Sequence, residues 1–104
     1  MVLNDLIQII KSRKNGNDSK SYTARLFNKG IDECCKKFGE ESVELIIAAL
    51  SKKDDNFKEE AADLMYHFLV LLEICNADFE DILNILKERM NQSGLKEKSD
   101  RLKI

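Results

Sequence analysis

The feature that most constrains this chain of 104 residues is the absence of proline, together with the presence of only four glycines. Proline breaks helices and glycine weakens them, so a chain with few of either can carry long uninterrupted helices. Apolar residues recur at helical spacing, and strand-like alternation with turn dipeptides is not visible. We therefore predict an all-α fold, a bundle of about five helices.

Polar stretches and glycines divide this helical pattern into five segments. Only residues 51–53 separate the third segment from the acidic and amide residues that open the fourth, which leaves room for nothing but an antiparallel helical hairpin. We predict that this hairpin is the centre of the bundle. The first predicted helix has its apolar residues over 2–10 and ends in the polar stretch 15–19, and a short second helix, capped by Ser19 or Ser21, runs through Phe27 and is closed by Gly30. The others cover 31–50 and 57–75, and Asp78 opens the last.

The chain is long enough for one compact domain with a modest core. We predict a single domain over 1–92 and a charged tail over 93–104, with self-association as a source of extra stability. Charged residues make up 35% of the sequence. No apolar run approaches the roughly 20 residues of a membrane span, and the N-terminal segment lacks the pattern of a signal peptide. We expect a cytoplasmic protein without a membrane partner.

The net charge of −2 hides an uneven distribution, because residues 11–37 are mainly basic and residues 38–90 mainly acidic. This division suits a small ligand that carries phosphates and arrives with a metal ion, and we expect no binding to nucleic acid. The three cysteines, Cys34, Cys35 and Cys75, form no CxxC motif, and the single histidine is distant from them in sequence. We predict buried or half-buried reduced thiols and no zinc site.

Two acidic motifs carry the strongest functional signal. Glu41 and Glu44 lie three residues apart in the third helix, and Glu60 and Asp63 do so in the fourth, so each pair shares one helical face. If the hairpin turns at Lys52, residues whose numbers sum to 104 lie level with one another. Glu44 then faces Glu60, and Glu41 faces Asp63, which brings four carboxylates together.

Carboxylates held this close repel one another unless a cation joins them. Oxygen ligands favour Mg²⁺, with Mn²⁺ as a substitute, over zinc or copper. A solvated acidic helix face explains a single motif of this kind, but two in mirror register favour a metal site. Gly39, inside the third helix, indicates either close approach of a ligand or helix, or a plain kink or helix start.

The basic residues Arg25, Lys29 and Lys37 are candidate phosphate contacts, because a cation facing the metal site stabilises negative charge. Each is also explained as an ordinary surface residue. His67, one turn after Asp63, either orients a carboxylate, contacts a phosphate, or is a hydrogen-bonded core histidine.

The sequence resembles the phosphoribosyl-ATP pyrophosphohydrolases, within the broader all-α, MazG-like nucleotide pyrophosphohydrolases. The resemblance extends from about Leu3 to Met90, and Leu50 departs from it by standing where a polar residue is more usual. The motifs that carry it are Ser21-Tyr22-Thr23, Lys37-x-Gly39-Glu40-Glu41-x-x-Glu44, and Glu59-Glu60-Ala61-Ala62-Asp63-Leu64-x-Tyr66-His67.

This resemblance implies hydrolysis of phosphoribosyl-ATP to phosphoribosyl-AMP and pyrophosphate, the second step of histidine biosynthesis. It implies a homodimer in which helices of both subunits form the active site. Glu40, about 100° around the helix from Glu41, is a candidate water-activating base or ligand to another metal ion. The residues that match the family's Mg²⁺ ligands are Glu41, Glu44, Glu60 and Asp63.

Three other interpretations remain open. A housekeeping nucleoside-triphosphate pyrophosphohydrolase, acting on dUTP or damaged nucleotides, would use the same acidic motifs. A ferritin-like di-iron bundle also places carboxylates among helices, but it needs Glu-x-x-His motifs, and His67 follows Leu64 at that spacing. A helical interaction module would keep the acidic residues merely as surface.

Overall fold

The computed structural model describes residues 2–17, 19–52, 54–91 and 101, with the backbone alone for 54 and 55. Within these ranges the chain forms five helices and no strand, which confirms the predicted all-α fold. None of the described helices is long and apolar enough to cross a bilayer. The predicted tail, 93–104, lies outside the described residues except for Arg101. The helices are α1 (Val2–Ser12), α2 (Tyr22–Lys29), α3 (Ile31–Ser51), α4 (Asp54–Ile74) and α5 (Phe79–Arg89).

Helix α2 shows how local sequence sets the ends of these helices. Ser21 is its N-cap, with an extended backbone and a side-chain oxygen that accepts a hydrogen bond from the Ala24 amide at 3.1 Å. Of the two serines that the sequence offered as caps, Ser21 is therefore the one used. Gly30 ends the helix with a φ of 93°, and its N–H donates to the carbonyls of Leu26 and Phe27.

The hairpin of α3 and α4 forms the most extensive helix pair of the described chain, as predicted. Lys52 makes the turn in the left-handed conformation, with φ 60°, and its N–H donates to the Ala49 carbonyl at 3.3 Å. Helix α4 begins at Asp54, three residues before the predicted start at Phe57. Acidic residues are favoured in the first turn of a helix as well as at its N-cap, so they extended α4 instead of preceding it.

The core lies where α1, α2 and α3 meet the C-terminal half of α4. Its buried members are Ile10, Leu26, Cys34, Leu69 and Val70. This arrangement sets the acidic half of the hairpin at one end of α4 and the apolar core at the other. The carboxylates of this half therefore extend from helices that are packed against each other.

Two ion pairs tie α1 and the turn that follows it to α4 beside this core. The Lys11 Nζ lies 2.8 Å from Glu73 Oε2, and the Lys14 Nζ lies 3.1 Å from Glu73 Oε1. Burial by itself would raise the pKa of the Glu73 carboxyl, but hydrogen bonds from the two ammonium groups outweigh it and lower that pKa. The position of α1 against α4 thus depends on charge as well as apolar contact.

The three cysteines are free thiols. The prediction of burial is correct for Cys34, whose thiol points at the Leu26 carbonyl at 3.6 Å. It is wrong for Cys35 and Cys75, which are exposed. Cys35 lies about 100° around α3 from Cys34, and Cys75 follows the last residue of α4, so neither position faces the core.

Glycines at positions 30 and 39 should respond in opposite ways to replacement by alanine. A Cβ on Gly39 would meet no atom of the described chain within 4 Å, and α3 is continuous there, so the helix-start explanation is wrong. Gly39→Ala should stabilise the protein by about 1 kcal/mol, a rise in Tm of about 4–8 °C. Gly30→Ala should lower Tm because its φ of 93° disfavours a side chain.

Thermal unfolding followed by circular dichroism checks both glycine variants. A lower Tm for Gly39→Ala would indicate that a second copy of the chain packs against this helix position. A higher Tm for Gly30→Ala would contradict the strain assigned to that backbone conformation.

Candidate functional site

Three carboxylates from α3 and α4 meet on the hairpin. One oxygen from each of Glu41, Glu60 and Asp63 lies within 4.8 Å of the other two. Glu41 and Asp63 are the residues that the turn at Lys52 was predicted to place level with each other, and the structure brings them together. We call these three residues the acidic cluster.

Glu44, the fourth predicted ligand, borders the acidic cluster. Its side chain is exposed and is not part of the group defined by the 4.8 Å distances. Burial is the largest cause of the raised pKa values of Glu41 and Glu60, and the negative charge of Glu44 nevertheless adds to it in both. Glu44 is therefore close enough to act on two members of the cluster.

Two oxygens of the acidic cluster are buried without a partner. The Oε2 atoms of Glu41 and Glu60 find no hydrogen-bond donor among the described residues. Loss of hydration is the largest cause of the raised pKa of both carboxyls, and the neighbouring carboxylates add to it. Buried acceptors of this kind are uncommon in folded proteins, because each costs free energy unless something binds to it.

A divalent cation fits this arrangement. The donor set is made of carboxylate oxygens alone, which suits a hard cation such as Mg²⁺. A cation would supply the partner that the two buried oxygens lack and would cancel the repulsion among the carboxylates. The residues present are thus compatible with a metal site of the kind predicted from the motifs.

The raised pKa values make metal-free protein less stable as the pH rises. A carboxyl whose pKa is higher in the folded state than its ordinary value of 4.5 favours folding below that value. That contribution is lost as the pH rises through 4.5 to the raised pKa. Mg²⁺ at a hundred times its Kd should by binding alone stabilise the folded protein by about 2.7 kcal/mol at pH 7.

Denaturant unfolding in a chelator between pH 4.5 and 7, with and without Mg²⁺, measures this effect. The lowered pKa of Glu73 has the opposite effect, because it stabilises the folded protein above the ordinary pKa. Wild type is therefore compared with Glu60→Gln, which keeps Glu73, so that the contribution of Glu73 cancels. The difference in unfolding free energy between Glu60→Gln and wild type should grow with pH. Glu88→Gln, which alters an exposed carboxylate on α5, should show no such trend. A constant difference for Glu60→Gln would contradict the assignment.

Glu40, the predicted water-activating base, lies beside lysines of its own helix. Its carboxylate is 3.5 Å from the Lys37 Nζ and 3.9 Å from the Lys36 Nζ, and its side chain is 44% exposed. The negative charge of Glu40 raises the pKa of the Lys37 ammonium. Lys37 is half-buried and also lies near the Tyr22 hydroxyl, so it connects Glu40 with the surroundings of the acidic cluster.

The other two predicted phosphate contacts, Arg25 and Lys29, are exposed residues of α2. Residues three and seven positions apart share a helical face, so both lie on the face that begins with Tyr22. Tyr22 is near Glu41, whose charge acts on its hydroxyl. The structure thus places Arg25 and Lys29 on the same helix face as Tyr22, which bonds to His67 beside the acidic residues.

His67, predicted as a substrate contact or a core histidine, is buried, with 7% of its surface exposed. Its Nδ1 lies 2.9 Å from the Asp63 carbonyl oxygen, and its Nε2 lies 3.2 Å from the Tyr22 hydroxyl. The geometry matches the hydrogen-bonded core histidine, although a positive charge on His67 would lower the pKa of Glu41 nearby.

Three hydroxyl residues beside His67 received no role from sequence reasoning. Tyr22 bonds to the His67 ring, and the hydroxyl of Thr23 bonds to that of Tyr66. The rings of Tyr22 and Tyr66 stack with centroids 6.3 Å apart. All three lie in motifs that carry the family resemblance. Their place in those motifs is the sequence signal that could have identified them as residues of the site.

Comparisons with known proteins identify relatives of this chain. A family model described as phosphoribosyl-ATP pyrophosphohydrolase matches residues 3–90. A phosphoribosyl-ATP pyrophosphatase of Roseobacter denitrificans is 45% identical over 103 residues, which cover 99% of this chain and 98% of the relative. Proteins of the same name from a Ruegeria species and Nitrobacter hamburgensis are 47% and 46% identical, covering 98% and 95% of this chain and 97% and 92% of the relatives.

Proposed function

Because the chain belongs to the phosphoribosyl-ATP pyrophosphohydrolase family, we propose that it hydrolyses phosphoribosyl-ATP to phosphoribosyl-AMP and pyrophosphate. This is a hydrolase reaction of histidine biosynthesis, and the cytoplasm is the compartment that we propose for it. The observation that carries the proposal is the acidic cluster, in which two buried carboxylate oxygens lack a hydrogen-bond partner in the described chain. A polyphosphate substrate that arrives with a cation supplies that partner.

Glu41, Glu60 and Asp63 would hold Mg²⁺, or Mn²⁺ in its place, with Glu44 at the border of the site. When bound, the ion neutralises charge on phosphate oxygens and makes a water molecule more acidic. The three carboxylates extend from two helices of one hairpin, so their spacing is set by the packing of α3 on α4. The packing of α3 on α4 would therefore fix the position of the bound phosphates relative to the rest of the chain.

Glu40 is the residue that we assign as proton acceptor for the attacking water. Its exposed side chain leaves the carboxylate accessible, and Lys37 at 3.5 Å positions it. Lys37 and the α2 residues Arg25 and Lys29 would contact the phosphates and stabilise the negative charge that spreads over them during the reaction.

A homodimer is the assembly that we propose. The support is an apolar stripe on α3 that faces away from the core of the single chain. Its members follow one another at the spacing of a single helical face, and each is more than half exposed. They are Val43 (55%), Ile46 (58%), Ile47 (60%) and Leu50 (78%). A contiguous exposed surface of this kind is typical of a subunit interface.

Release of pyrophosphate from phosphoribosyl-ATP, compared with release from a panel of nucleoside triphosphates that includes dUTP, tests the proposed reaction. We expect kcat/KM to be highest for phosphoribosyl-ATP by at least about a hundredfold, the scale of a few directed polar contacts. Activity on common or damaged triphosphates alone would instead assign a housekeeping nucleotide pyrophosphohydrolase.

A further inference from the structure

The hydrogen bonds of His67 fix the proton on its ring. The Asp63 carbonyl can only accept, so Nδ1 carries the proton and donates to it at 2.9 Å. When the ring carries this proton alone, Nε2 accepts a hydrogen bond from the Tyr22 hydroxyl at 3.2 Å. Both ring nitrogens are therefore engaged within the chain, and His67 has none left for a phosphate.

Tyr22 receives a defined position from this hydrogen bond. It is the first residue of α2, and its ring also packs edge-on against the His67 ring, with centroids 6.0 Å apart. Despite these contacts, 45% of Tyr22 remains exposed. Its hydroxyl bonds to His67, whose ring in turn bonds to the backbone carbonyl of Asp63, a member of the acidic cluster, so Tyr22 stands beside that cluster.

We propose that Tyr22 is the surface on which the base of the nucleotide substrate packs, and that His67 is the positioning residue that holds Tyr22 there. This inference rests on the proposed function, because it places the polyphosphate at the acidic cluster. A nucleotide bound there carries a planar base that only the ribose separates from its phosphates, and a planar base packs well on an aromatic ring. The cluster has no aromatic component of its own, so this contact would distinguish a nucleotide from a plain polyphosphate.

Two probes separate the base contact from the phosphate contact. Methylenediphosphonate carries only the phosphate part, whereas α,β-methylene-ATP carries the base as well, and calorimetry in Mg²⁺ gives the Kd of each. Tyr22→Leu should raise the Kd of α,β-methylene-ATP about tenfold, the effect of losing one stacking contact. It should change the Kd of methylenediphosphonate by less than about twofold, because this probe carries no base that could contact Tyr22.

The positioning role of His67 is tested through the hydrogen bond itself. Tyr22→Phe and His67→Gln should each raise the Kd of α,β-methylene-ATP by about three- to fivefold, the effect of one lost hydrogen bond. The double variant should be no weaker than either single variant, because both remove the same bond. Tyr22→Phe leaves the buried histidine in place, so it remains informative if His67→Gln does not fold.

Phe57→Leu is the matched control, since Phe57 is another exposed aromatic residue, one turn before Glu60 on α4. It should leave both Kd values unchanged. The proposal would be overturned by equal losses for the two probes in Tyr22→Leu, by a base-selective loss in Phe57→Leu instead, or by a Tyr22→Leu effect that follows a change in oligomeric state. Additive effects of Tyr22→Phe and His67→Gln would overturn the positioning role.

These binding measurements do not depend on catalysis. A wild type that binds α,β-methylene-ATP but fails to hydrolyse phosphoribosyl-ATP would refute the proposed reaction alone. An active wild type whose Tyr22→Leu variant binds α,β-methylene-ATP normally would refute the base contact alone.

Discussion

Glu60→Gln is expected to lower kcat about a thousandfold while making the metal-free protein more stable at pH 7. The substitution keeps the shape of the side chain but removes a charge from the acidic cluster, which relieves repulsion from Glu41 and Asp63. It also removes one of the oxygens expected to hold the cation. Losing a contribution of about 4 kcal/mol to charge stabilisation in the transition state corresponds to about a thousandfold in rate.

Steady-state pyrophosphate release, Mg²⁺ calorimetry and denaturant unfolding together test this prediction. Glu88→Gln makes the same chemical change on exposed α5 and should behave as wild type in all three. Glu44→Gln should also weaken Mg²⁺ binding, because Glu44 acts on both Glu41 and Glu60. Wild-type Mg²⁺ affinity in Glu60→Gln would refute the metal site.

A second large effect is expected from Ile47→Glu, which should convert a dimer into single chains. Ile47 lies in the middle of the apolar stripe of α3 and is 60% exposed in the single chain. If the stripe is a subunit interface, the new carboxylate is buried without a partner, which costs about 3 kcal/mol or more per site. The dissociation constant of the dimer should therefore rise at least about a hundredfold.

Sedimentation equilibrium over a range of protein concentrations measures this change. Gln8→Glu adds the same negative charge to an exposed position of α1 and should leave the dimer intact. A wild type that sediments as a single chain at micromolar concentration, or an Ile47→Glu variant that sediments as a dimer, would contradict the proposed interface. Loss of activity with retained Mg²⁺ binding in Ile47→Glu would indicate that the partner completes the active site.

Much of the fold was predictable because it depends on local chemistry. A chain without proline, with apolar residues at helical spacing, gives five helices whose ends follow from a serine cap and a glycine with positive φ. Most boundaries differ by one to three residues, and the largest difference concerns α4, where acidic residues joined the first turn instead of preceding it. Such ends are decided by small energy differences among neighbouring residues.

The meeting of Glu41 with Asp63 was also predictable, because a short antiparallel hairpin fixes the register of its helices. The position of a residue in a helix determines its level along the helix axis and the face on which it lies. It does not determine how deeply the side chain is buried. Glu41 and Glu60 each bury an oxygen, whereas Glu44 on the same helix as Glu41 stays exposed. That difference comes from how α3 packs on α4.

Sequence alone thus determined the helices, the hairpin turn at Lys52 and the meeting of Glu41 with Asp63, since these follow from spacing along one chain. Only the tertiary structure decided that His67 bonds to Tyr22 and that the apolar stripe of α3 lies outside the core. These contacts join residues distant in sequence or depend on which face of a helix its neighbours cover. Packing among several helices, rather than the pattern within any one of them, selects those partners.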